Sequence, residues 1–292
     1  MRDQIPSPNA AGPGNTKLLT DHPVSSSRPP RAKKSLGQNF LVDRRVRSKI
    51  VDAADISPTE TVLEVGPGRG FLTTALAERA GRVVAVELDD SLIPSLREKF
   101  AVCDNVKIVG GDARTADIEY LVGKATEYKV VANLPYYAAT PIVRRFLEAQ
   151  HKPTTLVVML QKEVGLEVTA PPGKMGILSV ATQVYGKPRI VTSVPPKAFR
   201  PSPNVTSAVV RIDTYAEPAV AFDSAEKFFT LVRAGFSARR KQLHNSLKNR
   251  LDLEPDSVMK LLTNSGISPT RRAQTLSIEE WGDLYREYSS AP

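Results

Sequence analysis

Cysteine is nearly absent: Cys103 is the only one in 292 residues. This excludes an internal disulfide framework and any cysteine-cluster metal site. Histidine is almost as scarce. His22, His151 and His244 are the full set, none falls in the motifs below, and no metal is expected. No stretch of 18 or more apolar residues occurs, so no membrane span and no membrane partner are expected. The N-terminus lacks the apolar run of a secretory signal, which makes a cytoplasmic location the expectation. No internal repeat of solenoid period is found.

Basic side chains are plentiful: 40 Lys and Arg face 31 Asp and Glu, a net charge of +9. The sign favours an anionic partner without proving that it is a nucleic acid. The excess is uneven along the chain. Residues 1–34 carry six basic and two acidic side chains, and residues 226–250 carry seven and one. The intervening stretch is close to balance, and residues 251–292 are net acidic. The first segment holds Pro6, Pro8, Pro13, Pro23, Pro29 and Pro30 among Ser, Asn and Gly. Such a stretch buries too little apolar surface to offset its ordering entropy. Residues 1–33 are therefore expected to form a disordered basic tail, either a plain solvated extension or an RNA-contacting arm.

The chain is 41% apolar overall and long enough for a sizeable core. Short β-branched runs at 61–65, 83–88, 106–109, 129–132 and 155–160 alternate with helical patterns at 71–79, 91–100 and 141–150. Ser91 is the expected cap of the second helix and Pro141 the start of the third. This alternation predicts βαβ units with a parallel sheet and helices on both faces. Runs at 189–193 and 208–212 flank a loop with four prolines and are expected to pair as an antiparallel edge. After about Thr214 only helical spacing remains, at 225–236, 240–250, 255–264 and 278–288. An α/β Rossmann-like unit over 34–214 and a small all-helical unit over 215–292 are expected. Cys103 and Trp281 are read as packing residues.

Three features stand in order at successive strand ends. Glu64-Val65-Gly66-Pro67-Gly68-Arg69-Gly70 follows the first strand and opens a helix. Its glycines permit tight turning and close approach of a ligand to the backbone. The spacing is G-x-G-x-G, not the dinucleotide G-x-G-x-x-G. Glu87 ends the second strand, where a carboxylate can accept two hydroxyls of a ribose, as in sites for NAD and for S-adenosylmethionine. Asp112 follows the third, where a carboxylate can accept from an adenine amine. Open α/β sheets bind ligands at this edge.

Asn133-Leu134-Pro135-Tyr136 ends the fourth strand and separates the cofactors. A nicotinamide enzyme has no use for it. It suits methylation of an exocyclic amine, because the Asn oxygen and a backbone carbonyl can accept both N–H protons. The nitrogen lone pair then faces an electrophilic methyl group, and the Tyr ring can stack on the base.

With these motifs the chain resembles the small-subunit ribosomal RNA adenine N6,N6-dimethyltransferases, the bacterial dimethyladenosine transferase family, over residues 34–248. Further matching motifs are Leu36-Gly37-Gln38-Asn39-Phe40-Leu41, Gln161-Lys162-Glu163-Val164, Val194-Pro195-Pro196-Lys197-Ala198-Phe199 with Pro201 and Pro203, and Ser207-Ala208-Val209-Val210. Phe236-Ser237, Arg239-Arg240-Lys241 and Asn245-Ser246-Leu247 complete the set. The resemblance implies S-adenosyl-L-methionine as cofactor, held by Asn39, Leu41, Gly66, Glu87, Asp112 and Asn133. Gln38, Gly68, Leu88 and Ala113 are expected beside them. Asn39 and Leu41 would close over the methionine end. Asn133, Leu134, Pro135, Tyr136 and Phe199 would hold the target adenine. Arg233, Arg239, Arg240, Lys241 and Lys248 would grip RNA phosphates. The implied partner is 16S rRNA in an immature small subunit, met by a monomer, with a role in subunit biogenesis.

Two positions depart from the family pattern. Tyr137 stands where Asn or His is usual, and the segment 170–176 is short, which bears on a substrate-side loop. Alternatives from other classes remain at this point. One is a large-subunit rRNA adenine methyltransferase of the antibiotic-resistance type, against which Leu134 and the Phe199–Pro203 loop argue. Another is a non-catalytic RNA-binding assembly or transcription factor on the same fold. A nicotinamide oxidoreductase is disfavoured by the glycine spacing.

Overall fold

The computed structural model describes residues 32–33, 36–238 and 240–290. The expected disorder of residues 1–33 and the grip of Arg239 fall almost wholly outside them. In chain order the elements are β1 (Phe40–Leu41), α1 (Arg44–Ala54), β2 (Thr61–Val65), α2 (Phe71–Ala77), β3 (Arg82–Glu87), α3 (Ile93–Lys99) and β4 (Val106–Gly110). Then come α4 (Ile118–Val122), β5 (Tyr128–Asn133), α5 (Tyr136–Glu148), β6 (Thr155–Gln161), α6 (Lys162–Val168), α7 (Ile177–Gln183), β7 (Gly186–Val194), β8 (Phe199–Arg200) and β9 (Ser207–Thr214). Four helices follow: α8 (Ala225–Gly235), α9 (Leu243–Leu251), α10 (Pro255–Asn264) and α11 (Ile278–Ser290).

Seven strands form one sheet in the order β4-β3-β2-β5-β6-β9-β7. The first five are parallel, and β9 runs antiparallel to both β6 and β7. The expected antiparallel pair is present, but only β7 is an edge strand. β9 inserts between β6 and β7, because its residues are apolar on both faces: Ala208, Val209, Val210 and Ile212 are all buried.

The period-two alternation of the strands splits the core by face. Leu63, Val65, Val84, Val86, Val130 and Leu156 belong to one cluster with α4, α5 and α7. Val62, Val83, Val131 and Val157 belong to the other with α1 and α2. The Rossmann-like arrangement with helices on both faces is therefore present. The first cluster continues without a break into α8–α11 through Phe228, Leu231, Trp281 and Tyr285. The segment 170–176 helps make that joint: Gly173 N–H donates to Gln274 O at 2.8 Å, and Gln274 Nε2 donates back to Gly173 O at 3.2 Å. It touches the helical region at this point.

Three helix starts differ from the sequence reading. Ser91 does not cap α3; its N–H and Oγ both bond Asp89, and the helix begins at Ile93. α5 begins at Tyr136, with Pro141 inside it, at the loss of one backbone bond. α9 begins at Leu243, because Arg240 and Lys241 lie in the turn that precedes it. α1 is additional to the expected elements. It is capped by Asp43, which accepts from Arg45 N–H at 2.8 Å and Val46 N–H at 3.2 Å, and it buries Val46, Ile50, Val51, Ala53 and Ala54.

Candidate active site

Strand order reverses between β2 and β5: β3 and β4 lie on one side, β6 on the other. Crevices at such a switch point open beyond the carboxyl ends of the strands. The glycine loop leaves β2 and Asn133 ends β5, so both motifs meet in that crevice. About 860 Å³ of space lies within it, counting the open solvent at its mouth. Its walls include Gln38, Asn39, Gly66, Gly68, Glu87, Leu88, Asp112, Ala113, Asn133, Leu134, Pro135, Tyr136 and Phe199. Leu41 is the exception among the expected pocket residues. It is buried, pairs with Phe199 across β1 and β8, and borders an adjoining cleft that shares Gly66, Gly68 and Asn133.

The glycine loop is a cradle that side chains would fill. Gly66 and Gly68 have φ of +71° and +59°, in the left-handed region. A Cβ on Gly68 would stand 2.9 Å from the Phe40 ring. That ring is covered in turn by the Arg69 guanidinium at 4.5 Å. Phe40 thereby lays the segment 36–41 across the glycines.

Glu87 is buried, and its carboxylate accepts from Gly68 N–H at 2.9 Å and Asp89 N–H at 2.8 Å. Burial raises its pKa despite these bonds. Each oxygen keeps a lone pair for a further donor. Asp112 is held by Arg114, whose Nε lies 2.9 Å and Nη2 2.6 Å from Oδ2. That fork holds its pKa below the usual carboxylate range, so the group stays an acceptor. Asn133 donates from Nδ2 to Asn39 O at 3.2 Å, which distinguishes the amide's oxygen end from its nitrogen end. Tyr136 is anchored by a 2.7 Å bond between its hydroxyl and Ser207 Oγ. Phe199 is buried and only borders the cleft.

Several groups take parts here that the motifs did not assign to them. Arg114 stands in no motif, and Ser207 of the Ser207-Ala208-Val209-Val210 motif shows its part only through its bond to Tyr136. Asp89 lies just past Glu87 and is 2% exposed. Burial would raise its pKa, but bonds from Lys33, Ser91 and Gln38 overcome this and hold it at about 2. Glu64, the first residue of the glycine motif, is 1% exposed, and its Oε2 has no partner among the described residues. Burial, reinforced by the neighbouring Glu87 charge, pushes it up to about 8. Tyr137 is half exposed at the rim and packs on Gly37.

The expected RNA residues lie elsewhere. Arg233 on α8, Arg240 and Lys241 in the turn after it, and Lys248 on α9 are exposed. Among the described residues Arg240, Lys241 and Lys248 form no ion pair, while Arg233 donates to Thr230 Oγ1 at 2.9 Å. No group of His, Cys, Asp and Glu among the described residues has the makings of a metal site, and no helix there is long and apolar enough to cross a membrane.

The sequence profile described as ribosomal RNA adenine dimethylase matches residues 30–290. The chain belongs to that family. The match runs beyond the 34–248 carried by the motifs. Among curated relatives, the ribosomal RNA small subunit methyltransferase A of Dehalococcoides mccartyi (strain CBDB1) is 47% identical over 262 residues, covering 90% of each chain. That of Moorella thermoacetica is 43% identical over 288 residues, covering 95% of this chain and 98% of its own. Among solved structures, the 23S rRNA methyltransferase ErmE is 30% identical with a TM-score of 0.69, covering 86% of this chain and 100% of its own. A dimethyladenosine transferase from Plasmodium falciparum shares the fold at 22% identity, with a TM-score of 0.75 over 86% and 97%. As a ribosomal RNA adenine dimethylase the chain is an S-adenosylmethionine-dependent enzyme. The residues present are of the kind that cofactor needs: a glycine cradle and two carboxylates, Glu87 and Asp112, stand in sequence along one edge.

Proposed function

We propose that this enzyme dimethylates the N6 amines of two adjacent adenosines in the 3′-terminal hairpin loop of 16S rRNA, within an immature small subunit in the cytoplasm. The observation that carries this reading is the juxtaposition of Asn133-Leu134-Pro135-Tyr136 with Glu87 and Asp112 in one cleft. The small-subunit relatives, at 43% and 47% identity, support this target over the large-subunit target of ErmE, at 30%.

Glu87 accepts the ribose hydroxyls and Asp112 the cofactor's adenine amine, with Leu88 and Ala113 against the ring. Gly66 and Gly68 let the backbone approach the cofactor, Gln38 and Asn39 close over it, and Leu41 backs them from the adjoining cleft. The cofactor supplies an activated sulfonium methyl. Asn133 Oδ1 and a backbone carbonyl of the 133–135 turn accept the two N6 protons, which leaves the nitrogen lone pair directed at the methyl carbon. Positioning of this kind supplies about 7–11 kcal/mol. The amine carries its own lone pair, so no strong base is required, and the proton leaves afterwards to water or a carbonyl. The target base must leave its stack, at about a few kcal/mol, least in a loop. Tyr136, held by Ser207, and Phe199 offset this by stacking, worth about 1–3 kcal/mol per base.

Residues 215–292 act as the RNA grip, with Arg233, Arg239, Arg240, Lys241 and Lys248 on phosphates and the enzyme working as a monomer without a metal. The deciding experiment is mass spectrometry of rRNA from cells lacking the protein. Loss of dimethyladenosine from the small-subunit 3′ hairpin is the expected result; an unchanged level refutes the target. A purified chain that binds rRNA but not S-adenosylmethionine would instead reveal a non-catalytic assembly factor.

A further inference from the structure

Asp89 does not line the cleft, yet it is one of the most heavily bonded carboxylates among the described residues. Its side chain accepts from Lys33 Nζ at 2.6 Å, Gln38 Nε2 at 2.8 Å, Ser91 N–H at 3.0 Å and Ser91 Oγ at 2.6 Å. Its own N–H donates to Glu87 Oε1 at 2.8 Å. One residue thus joins the ribose acceptor to the segment that crosses the cleft.

Residues 36–39 of that segment are held from several sides. Lys33 N–H donates to Gln38 Oε1 at 2.7 Å, and Leu36 N–H donates to Lys33 O at 3.1 Å. Beyond the turn, Gly37 lies against the Tyr137 ring, and Asn39 O accepts from Asn133 Nδ2 at 3.2 Å. Leu36, Gly37, Gln38 and Asn39 all form cleft wall. These residues therefore stand beside any ligand seated on Glu87 and Asn133. The inner anchor is charged and fully buried, whereas Lys33 Nζ is half exposed, with its side chain at 47%. A charge-assisted bond to a buried carboxylate is the stronger of the two kinds.

We propose that Asp89 is a positioning residue that latches residues 36–39 across the cofactor cleft and so sets how long S-adenosylmethionine stays bound. It takes no part in methyl transfer, because it touches neither the cleft nor the reacting groups. The proposal rests on the reading of this cleft as the cofactor site. Asp89→Asn keeps the shape and one acceptor but loses the charge and half of the accepting capacity. Lys33→Met removes only the outer bond.

The test measures release of labelled S-adenosylmethionine from the full chain after a chase with unlabelled cofactor, together with hydrogen exchange. Release about tenfold faster for D89N and about threefold faster for K33M is expected, with KM for the cofactor rising in step. Turnover at saturating cofactor should stay within about twofold of wild type. Amide exchange should accelerate across residues 36–40 and stay unchanged in β2 and β5. Unaltered release in both variants overturns the latch, as does exchange that accelerates evenly across the sheet. Should D89N fail to fold, K33M alone decides the matter by the same readouts. Wild-type protein that fails to retain the cofactor at all would refute the cofactor site itself. Exchange at 36–40 in D89N would still report on the latch in that case.

Discussion

Glu87 and Asp112 in the cleft, and Arg240, Lys241 and Lys248 on the helical region, use charge in opposite ways. Each cleft carboxylate is fixed by its own donors before any ligand arrives: Glu87 by Gly68 and Asp89, Asp112 by Arg114. The three cations are exposed and form no ion pair among the described residues. A fixed, partly desolvated group reads one ligand, and its removal is costly. Free surface charges read a field, contribute in small additive shares and are screened by salt. The lesson is that the net charge of +9 reflects residues 1–34 and 226–250 and says little about the cleft.

The contrast can be broken most sharply at Asn133. Replacement by Ala should cut turnover by about 10²–10³, in line with the loss of one preorganised group aimed at a reacting centre. Cofactor affinity, measured by calorimetry, should change by less than about tenfold; equal losses in both would remove Asn133 from amine orientation. Next in size is Glu87→Ala. Cofactor binding should weaken by about 100-fold as two hydroxyl bonds to a charged acceptor disappear, while RNA affinity holds. A parallel drop in RNA affinity would show that cleft and grip are not separable.

On the other side of the comparison, charge reversal at Arg240, Lys241 and Lys248 should lower RNA affinity. It should also flatten the salt dependence by about 0.7–0.9 in log–log slope for each phosphate that is no longer neutralised. Cofactor affinity should be untouched. A wild-type slope in the triple variant would move the RNA grip elsewhere.

The smallest expected effect concerns Glu64, a buried carboxyl whose Oε2 has no partner among the described residues. Its carboxyl is pushed up to about 8 from an ordinary 4.5. Between those values the folded protein holds a proton that the unfolded chain has released. The slope of stability against pH is therefore negative there, and stability falls as pH rises through that window. Glu64→Gln removes the dependence. The melting temperature of the variant should gain on that of wild type from pH 5 to pH 8.5, by a few degrees. Parallel curves across that range would show that Glu64 is ionised in the fold.

Much of this is legible in one dimension. β2, β3 and β6 match the sequence expectation within about a residue at each end, because parallel strands buried on both faces are unbroken apolar runs. The positions of Glu87, Asp112 and Asn133 follow from the strand ends. α1 escapes a sequence reading although Asp43 is a sound cap, since its arginines and serine obscure the apolar spacing. β1 and β8 escape it because two-residue strands have no periodicity to detect. Ser91 misleads because its hydroxyl finds a better acceptor in Asp89 than in the helix N-terminus.

The parallel strands, the class of chemistry and the family are written in the sequence, because these depend on local runs and on short motifs at strand ends. The sequence also determined where the excess positive charge lies. The fold was needed to show that residues 40–41 pair with 199–200, that Arg114 forks onto Asp112 and that Gln38 donates to Asp89. The pairing of 40–41 with 199–200 and the bond of Gln38 to Asp89 join residues through the packing of separate elements, and the Arg114 fork closes on Asp112 within one loop. Hydrogen bonds of this kind depend on distance and angle in space, and spacing along the chain carries no record of either.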